Sequence, residues 1–425
     1  MSEQTKPRGI AIDSIQLGKQ IKSGFAGLGI SASILNILEV LNLNIPTPIQ
    51  IKSIPAVLSG QDLIGVAQTG TGKTFAFGIP MIERLALGKG RGLVLLPTRE
   101  LALQVDENLR KLGNKFGLRT AVLIGGEAIG QQMQSVRRKP HILIATPGRL
   151  IDCLKRGWVK LNDIKILVLD EADLMLDMGF APQIEEIIKQ IPKVRQTLLF
   201  SATMPKAILK LASLYMTLPI HIEVAPSGTT VERVDQEIYV VKREDKHLQL
   251  EKILKQYNGS ILIFTRTKHG AKALAKKLKT TGHKVAEIHS NLSFNQRREA
   301  MAGFKNKKYR ILIATDIASR GIDVSNIELV VNYDLPDSSE DYVHRIGRTA
   351  RAGNIGKAIS FATPDQRKDI ISIERLINKK LNLTKFAELE QANMRPTYSR
   401  YGRTTSFGRS NSPRSRSSRF RRIGG

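Results

Sequence analysis

An α/β fold made of two tandem parallel-sheet domains is what this 425-residue sequence predicts. Three observations carry the prediction. From about Phe25 onward, short apolar segments alternate with helical stretches, the pattern of parallel strands joined by crossover helices. The two halves also repeat one another. Ile142-Leu143-Ile144-Ala145-Thr146 recurs letter for letter as Ile311-Leu312-Ile313-Ala314-Thr315. Each copy is followed by another apolar run, Ile166–Leu169 or Leu329–Asn332, and then by Phe200-Ser201-Ala202-Thr203 or Ser360-Phe361-Ala362-Thr363. Third, Leu167-Val168-Leu169 stops abruptly at Asp170-Glu171-Ala172-Asp173. A buried strand that ends in acids puts them at the C-terminal edge of a sheet, where open α/β folds bind ligands.

Taken in order, residues 1–24 mix Gly, Ser and charge and read as a flexible lead. A first domain then spans 25–224, with strands expected at Asp62–Val66, Leu93–Leu96, Thr120–Ile124, Ile142–Ala145, Ile166–Leu169 and Thr197–Phe200. Residues 225–230, Ala-Pro-Ser-Gly-Thr-Thr, are polar and turn-rich and serve as a linker. A second domain spans 231–385, with strands at Glu237–Val241, Ile261–Phe264, Val285–Ile288, Ile311–Ala314, Leu329–Asn332 and Ala358–Phe361. Residues 386–425 form a tail; from 395 on it holds nine Arg, no Lys and no acid amid Ser, Gly, Tyr and Phe. Such a segment has too few apolar residues to build a core and is expected to be disordered.

Charge points to a polyanion. Lys and Arg number 66 against 38 acids, a net +28. Removing +9 for residues 395–425 and +2 for the lead leaves +17 on residues 25–394, so the folded part is basic as well. No apolar run approaches the length of a membrane span. Cys153 is alone, which excludes a disulfide framework and a cysteine zinc site. A reducing, cytoplasmic setting fits.

Chemistry concentrates at two places. Ala67-Gln68-Thr69-Gly70-Thr71-Gly72-Lys73-Thr74 differs by one methyl group from the phosphate-cradling pattern G-x-x-x-x-G-K-[ST]. Gly70 and Gly72 let backbone N–H groups face phosphate, Lys73 reaches the β and γ oxygens, and Thr74 ligates Mg²⁺. Asp170 holds the same Mg²⁺, and Glu171 orients or deprotonates an attacking water. A nucleoside triphosphate with Mg²⁺ is therefore the expected ligand. Far downstream, Arg345, Arg348 and Arg351 recur every three residues, a spacing that one helical turn would bring near one face. Arginine stabilises charge on a transferring phosphoryl group, so this segment is expected to complete the site when the second domain closes on the first.

These segments resemble the DEAD-box RNA helicases from about Phe25 to Asp365. The resemblance rests on Asp170-Glu171-Ala172-Asp173 together with Pro46-Thr47-Pro48-Ile49-Gln50, Pro97-Thr98-Arg99-Glu100-Leu101, Gly125-Gly126 and Thr146-Pro147-Gly148-Arg149. It continues through Ser201-Ala202-Thr203, Ala314-Thr315-Asp316, Ser319-Arg320-Gly321-Ile322-Asp323 and the arginine segment. It implies two RecA-like domains with ATP and RNA across their cleft. Gln50 is implied to read the adenine edge, Phe25 to stack on the ring and Asp323 to contact the ribose. Arg348 and Arg351 are implied at the γ-phosphate. Arg99, Gly126, Thr146, Arg149 and Thr315 are implied RNA-backbone contacts. Ser201 and Thr203 are implied to couple hydrolysis to strand separation, and Asp173 to couple the domains with His344.

There are departures from the family pattern. Asn42-Leu43 stand where Gly and an aromatic are usual, a change expected to soften the loop holding Gln50. Phe294 stands where Gln is usual, and Ala350 replaces a common Gly. Phe264-Thr265-Arg266-Thr267-Lys268-His269-Gly270-Ala271 and the brief lead resemble the bacterial RhlE-type subgroup. The function the resemblance implies is that of an ATP-dependent RNA helicase separating short duplexes locally, with an ATP-gated RNA clamp or annealing chaperone as the alternative. Ribosomal or RNA-decay complexes are the candidate partners. The full Asp-Glu-Ala-Asp motif with Gln50 argues against a DNA translocase, so no stable DNA partner and no membrane are expected. The tail is expected to tether RNA with salt-sensitive affinity.

Overall fold

The computed structural model describes residues 24–68, 70–88, 90–224, 234–316, 327–349 and 356–385. The expected lead up to residue 23, the linker 225–230 and the tail 386–425 lie outside the described residues, as do Thr69, Asp323, Ala350 and Arg351.

Seven parallel strands make the first sheet: β1 Leu63–Val66, β2 Arg91–Leu95, β3 Thr120–Leu123, β4 Ile142–Ala145, β5 Ile164–Leu169, β6 Gln196–Ser201 and β7 Ile220–Glu223. Their order is β3-β4-β2-β5-β6-β1-β7. The second sheet holds β8 Val234–Val240, β9 Ser260–Phe264, β10 Val285–Ile288, β11 Ile311–Ala314, β12 Ile327–Asn332, β13 Gly356–Ala362 and β14 Asn382–Lys385. Its order, β10-β11-β9-β12-β13-β8-β14, is the first order advanced by seven places. The letter-for-letter repeat read from sequence occupies the same position, β4 and β11, in both sheets. Each sheet with its helices forms one lobe.

The strands are apolar on both faces because helices cover both. Along β5 and β6, Val168, Leu198 and Phe200 pack toward the helices Lys73–Leu87 and Arg99–Gly113, in one cluster with Phe77 and Val105. Leu167, Leu169 and Leu199, one residue out of phase, join the opposite cluster with Ile151, Ile184 and Ile187. This period of two is the pleat expressed as packing. Register then sets the site. Leu95 pairs with Ala145 and with Leu169, and Val66 pairs with Ser201. The residues that come next in the chain after these strands therefore emerge together along one edge: Ala67, Thr146, Asp170 and Ala202.

Two strands escaped the sequence reading, β7 (Ile-His-Ile-Glu) and β14 (Asn-Leu-Thr-Lys). Both are edge strands of mixed polarity, β7 half-buried and Asn382, Leu383 and Thr384 of β14 exposed, so neither shows an uninterrupted apolar run. Among the described residues no helix is long and apolar enough to cross a membrane.

Candidate nucleotide site and nucleic-acid groove

The helix Lys73–Leu87 begins where β1 has just ended. Gly72, its N-cap, lies at φ 91°, in the left-handed region that favours glycine. A Cβ there would also overlap Gln50 Nε2 and displace that amide. Gln50 Nε2 donates to the Gly72 carbonyl at 3.1 Å, and Gln50 Oε1 accepts from the Thr47 N–H at 2.9 Å. One amide thus ties the start of the helix Pro48–Leu58 to the phosphate loop, leaving a second N–H and a second lone pair for a base edge. Thr71 Oγ1 donates to the Gln68 carbonyl at 2.7 Å and shapes the same loop. Ala67 is buried, Gly70 is left-handed at φ 83°, and Thr74 sits half-buried in the first helical turn.

Lys73 is buried, and its ammonium lies 2.8 Å from Glu171 Oε1. Burial alone lowers a lysine pKa; here the carboxylates of Glu171, Asp170 and Asp173 outweigh it and hold the ammonium above its ordinary value. Burial pushes the Asp170 carboxyl up to about 7 against the pull of Lys73. Glu171 takes a left-handed backbone, φ 52° and ψ 50°, an uncommon conformation for this residue. Strain of this kind persists where the surroundings over-determine it, which here means a strand end, a buried ion pair and the helix Ala172–Asp177.

Asp173 is the hub. Its Oδ2 accepts from the N–H of Ala202 (3.1 Å), the N–H of Thr203 (2.9 Å) and the Thr203 hydroxyl (3.0 Å). Its own N–H donates to Ser201 Oγ at 3.3 Å. Burial raises the pKa of this carboxyl, yet Lys73, His344 and the hydrogen bonds from Leu174 and Thr203 bring it below the ordinary value. His344 belongs to the second lobe, so an electrostatic contact between the lobes runs through Asp173. Beside it, a Cβ on Gly347 would come 3.8 Å from Gln68 Oε1, so the turn after the helix Ser339–Ile346 faces the phosphate loop. Arg348 is buried in that turn and donates from Nε to the His344 carbonyl at 3.2 Å.

A cavity of about 510 Å³ lies along the same strand edge, lined by Arg99, Gly126, Thr146 and Arg149 of the first lobe and Ser290 and Arg297 of the second. The Arg99 guanidinium occupies the space a Cβ on Gly126 would take. Arg149 donates to Gln132 Oε1 (3.2 Å) and the Glu127 carbonyl (3.3 Å), which holds its head at the rim. Cations, a glycine and a hydroxyl suit sugar and phosphate and read no base edges. Thr315 is not among the residues lining this cavity; its N–H donates to the Ile288 carbonyl at 3.3 Å, at the C-terminal edge of the second sheet.

A family model described as DEAD/DEAH box helicase matches residues 47–211, and one described as helicase conserved C-terminal domain matches 245–353. The ATP-dependent RNA helicase DbpA of Bacillus subtilis is 43% identical over 358 residues, covering 84% of this chain and 75% of that protein. The chain belongs to the DEAD-box helicase family. Another relative, the DEAD-box ATP-dependent RNA helicase CshA of Bacillus cereus, is 40% identical over 371 residues, covering 87% of this chain and 71% of that one. Among solved structures, S. cerevisiae Dbp5 bound to RNA and ADP BeF3 matches with TM-score 0.78 at 30% identity, over 87% of this chain and 97% of that chain. Mss116p bound to ssRNA and AMP-PNP matches with TM-score 0.80 at 29% identity, over 91% and 83%. The two lobes are tandem RecA-like domains. These relatives support the DEAD-box family; they do not support the RhlE-type subgroup.

Two sequence expectations for this DEAD-box chain change. The helix Ser339–Ile346 stops before Arg348, so Arg345 and Arg348 do not share a helical face. Arg345 instead turns into the second lobe, where it pairs with Asp316 Oδ1 at 2.5 Å and Oδ2 at 2.7 Å and lies 5.1 Å from the Phe264 ring. Phe25 is 5% exposed and packed in the first apolar cluster, so little of its ring is open to a base. Asn42 adopts φ 56° just after the helix Ala32–Val40, a left-handed conformation that glycine favours and asparagine tolerates, and Leu43 packs on the core.

Sequence reading also missed a relic. Lys246 opens the helix after β8 as Lys73 opens the helix after β1, and its ammonium lies 2.8 Å from Asp334, two residues past β12. The Lys73–Glu171 pair is thus repeated in the second RecA-like domain at the same distance. The preceding loop, Val241-Lys242-Arg243-Glu244-Asp245, has no glycine to turn backbone N–H groups toward phosphate, so only the first lobe offers a cradle. Aligning the second half on the first from β8 would have exposed it.

Proposed function

We propose that this chain is an RNA-dependent ATPase that separates short RNA duplexes locally, coupling hydrolysis to closure of its two RecA-like domains. The observation that carries the reading is the meeting of both lobes at two places on one strand edge. At the phosphate loop, Gly347 and His344 approach Gln68 and Asp173. At the groove, residues of both lobes line a single cavity. A site assembled from both lobes acts only when they are closed. Dbp5 and Mss116p, the similar structures, carry RNA and an ATP analogue together.

The residues at the site suit the reaction. A phosphate reaching Lys73 replaces Glu171 as the partner of the ammonium. The freed carboxylate then takes a proton from water as its oxygen attacks the γ-phosphorus and the bond to ADP breaks. Arg348, held on the His344 carbonyl, brings positive charge from the second lobe; Arg351 is assigned the same task. An arginine supplied this way contributes roughly 10³–10⁵ in rate. Asp170 and Thr74 would hold Mg²⁺, which supplies charge neutralisation on the β and γ oxygens when bound. No group of three His, Cys, Asp or Glu among the described residues is arranged for a metal, and Mg²⁺ here needs none, since one or two protein oxygens suffice beside phosphate and water. The buried Asp170 carboxyl, raised by desolvation and only partly offset by Lys73, fits a further cation beside it.

Arg99, Gly126, Thr146, Arg149 and Thr315 are assigned the RNA backbone, Gln50 and Asp323 the nucleoside, and Ser201, Thr203, Asp173 and His344 the coupling. The cytoplasm is the proposed compartment, and ribosome assembly or RNA decay the proposed setting. Single-turnover ATP hydrolysis with and without RNA tests the reading: rates independent of RNA would refute the coupled mechanism. Duplex release compared with duplex annealing at equal protein separates the helicase from the clamp or chaperone.

A further inference from the structure

Phe294 opens the helix Phe294–Lys305 of the second lobe. Its ring is 7% exposed, yet it does not belong to either apolar cluster of its own lobe. It packs in the cluster of the first lobe that contains Leu101 and Val105 of the helix Arg99–Gly113. Farther along the same helix, Ala300 and Phe304 belong to the second-lobe core. The helix thus bridges the lobes, its first residue in the first-lobe cluster and its later turns in the core of its own lobe.

The same side carries matched charge. Arg297 Nη2 lies 2.5 Å from Glu100 Oε1. One turn separates Phe294 from Arg297, so ring and guanidinium act on the same patch. At the far end, Glu107 is held low chiefly by Lys111 and also by the charge of Lys305. A capping box fixes the first turn: Ser293 Oγ accepts from the Gln296 N–H at 3.3 Å, and Gln296 Oε1 accepts from the Ser293 N–H at 2.8 Å. Phe294 is therefore presented on a rigid helix end, beside the cavity that Ser290 and Arg297 line.

We propose that Phe294, flanked by the Arg297–Glu100 pair, is a positioning residue that latches the closed state and sets how long RNA stays bound in it. The proposal rests on the reading that closure creates the RNA-holding state. A phenyl ring placed across the interface is exposed when the lobes part and buried when they meet, so its whole hydrophobic contribution falls on the closed state. Burying such a ring shifts an equilibrium roughly 10–100-fold. A polar residue at this position leaves that factor out. This chain is accordingly biased toward long RNA retention and slow reopening, and away from fast cycling.

The test uses the full chain, a fluorescent single-stranded RNA, Mg²⁺ and a non-hydrolysable ATP analogue. Release of RNA after an unlabelled chase is timed for wild type, Phe294→Ser and Phe294→Leu. Phe294→Ser is expected to release RNA about 10–100-fold faster with the analogue bound, while release without nucleotide and the melting temperature stay at wild-type values. Phe294→Leu is expected to restore most of the retention. Nucleotide-dependent retention in wild type that survives Phe294→Ser overturns the latch alone. A melting temperature that falls as for a core truncation also overturns it, because the ring is then part of the fold. A wild-type chain that releases RNA equally fast with and without the analogue overturns the coupled function and the latch with it.

Discussion

Replacing Asp173 by asparagine tests the hub of the site with a change of one atom. The side chain now accepts four hydrogen bonds: three at Oδ2, from the Ala202 N–H, the Thr203 N–H and the Thr203 hydroxyl, and one at Oδ1, from the Leu174 N–H. In asparagine one oxygen becomes an amide that only donates. The cheaper orientation keeps oxygen at the three-donor position and turns the amide against the Leu174 N–H. A buried N–H without an acceptor costs about 1–3 kcal/mol, and the remaining bonds lose their charge assistance. Removing a buried charge returns part of its desolvation cost, which keeps the net near about 3 kcal/mol. For a lobe of this size that is a fall of roughly 6–12 °C in melting temperature. The loss should extend to function, because Asp173 also carries the electrostatic contact to His344. The expected result is ATP binding retained in a fluorescence titration and RNA stimulation of turnover lost. Thr203→Val, which removes one of the donors, should cost about 1 kcal/mol and serve as the scale. An Asp173→Asn protein that melts within about 1 °C of wild type and keeps its RNA-stimulated turnover refutes the reasoning.

The geometry makes three further outcomes testable. Glu171→Gln should bind ATP at least as tightly as wild type, since Lys73 loses its competing carboxylate, and should slow single-turnover hydrolysis by about 10²–10⁴; wild-type turnover would remove Glu171 from its role. Gly126→Ala combines left-handed strain of about 1–2 kcal/mol with displacement of Arg99, so RNA affinity should fall about tenfold or more while ATP affinity stays put; equal RNA affinity would mean that Arg99 does not hold RNA. Deleting residues 395–425 removes nine arginines and should flatten the slope of RNA affinity against salt; an unchanged slope would take the tail out of RNA binding.

Sequence alone determined what is local or repeated. A parallel strand covered on both faces shows itself as an apolar run, as in β4, β5, β9, β11 and β12, and a duplicated run identified two copies of one topology, so twelve strands were readable. The phosphate loop and the acids after β5 were readable because cradle and carboxylates are each contiguous in the chain. Tertiary structure decided what depends on partners. Edge strands β7 and β14 exist only because β1 and β8 offer them hydrogen bonds. Arg345 and Arg348, two of three arginines at equal spacing, parted because a helix ended at Ile346, burying Arg345 in an ion pair with Asp316 while Arg348 stayed in the turn. Lys246 stands in no motif that the sequence displays, and the fold places it on Asp334. Phe294 read as a departure from a pattern, and only packing revealed that its ring is buried in the lobe to which it does not belong. The physical reason is common to all four: periodicity and composition report how a segment meets water, whereas the identity of its partner is set by distances in space that the order of residues does not contain.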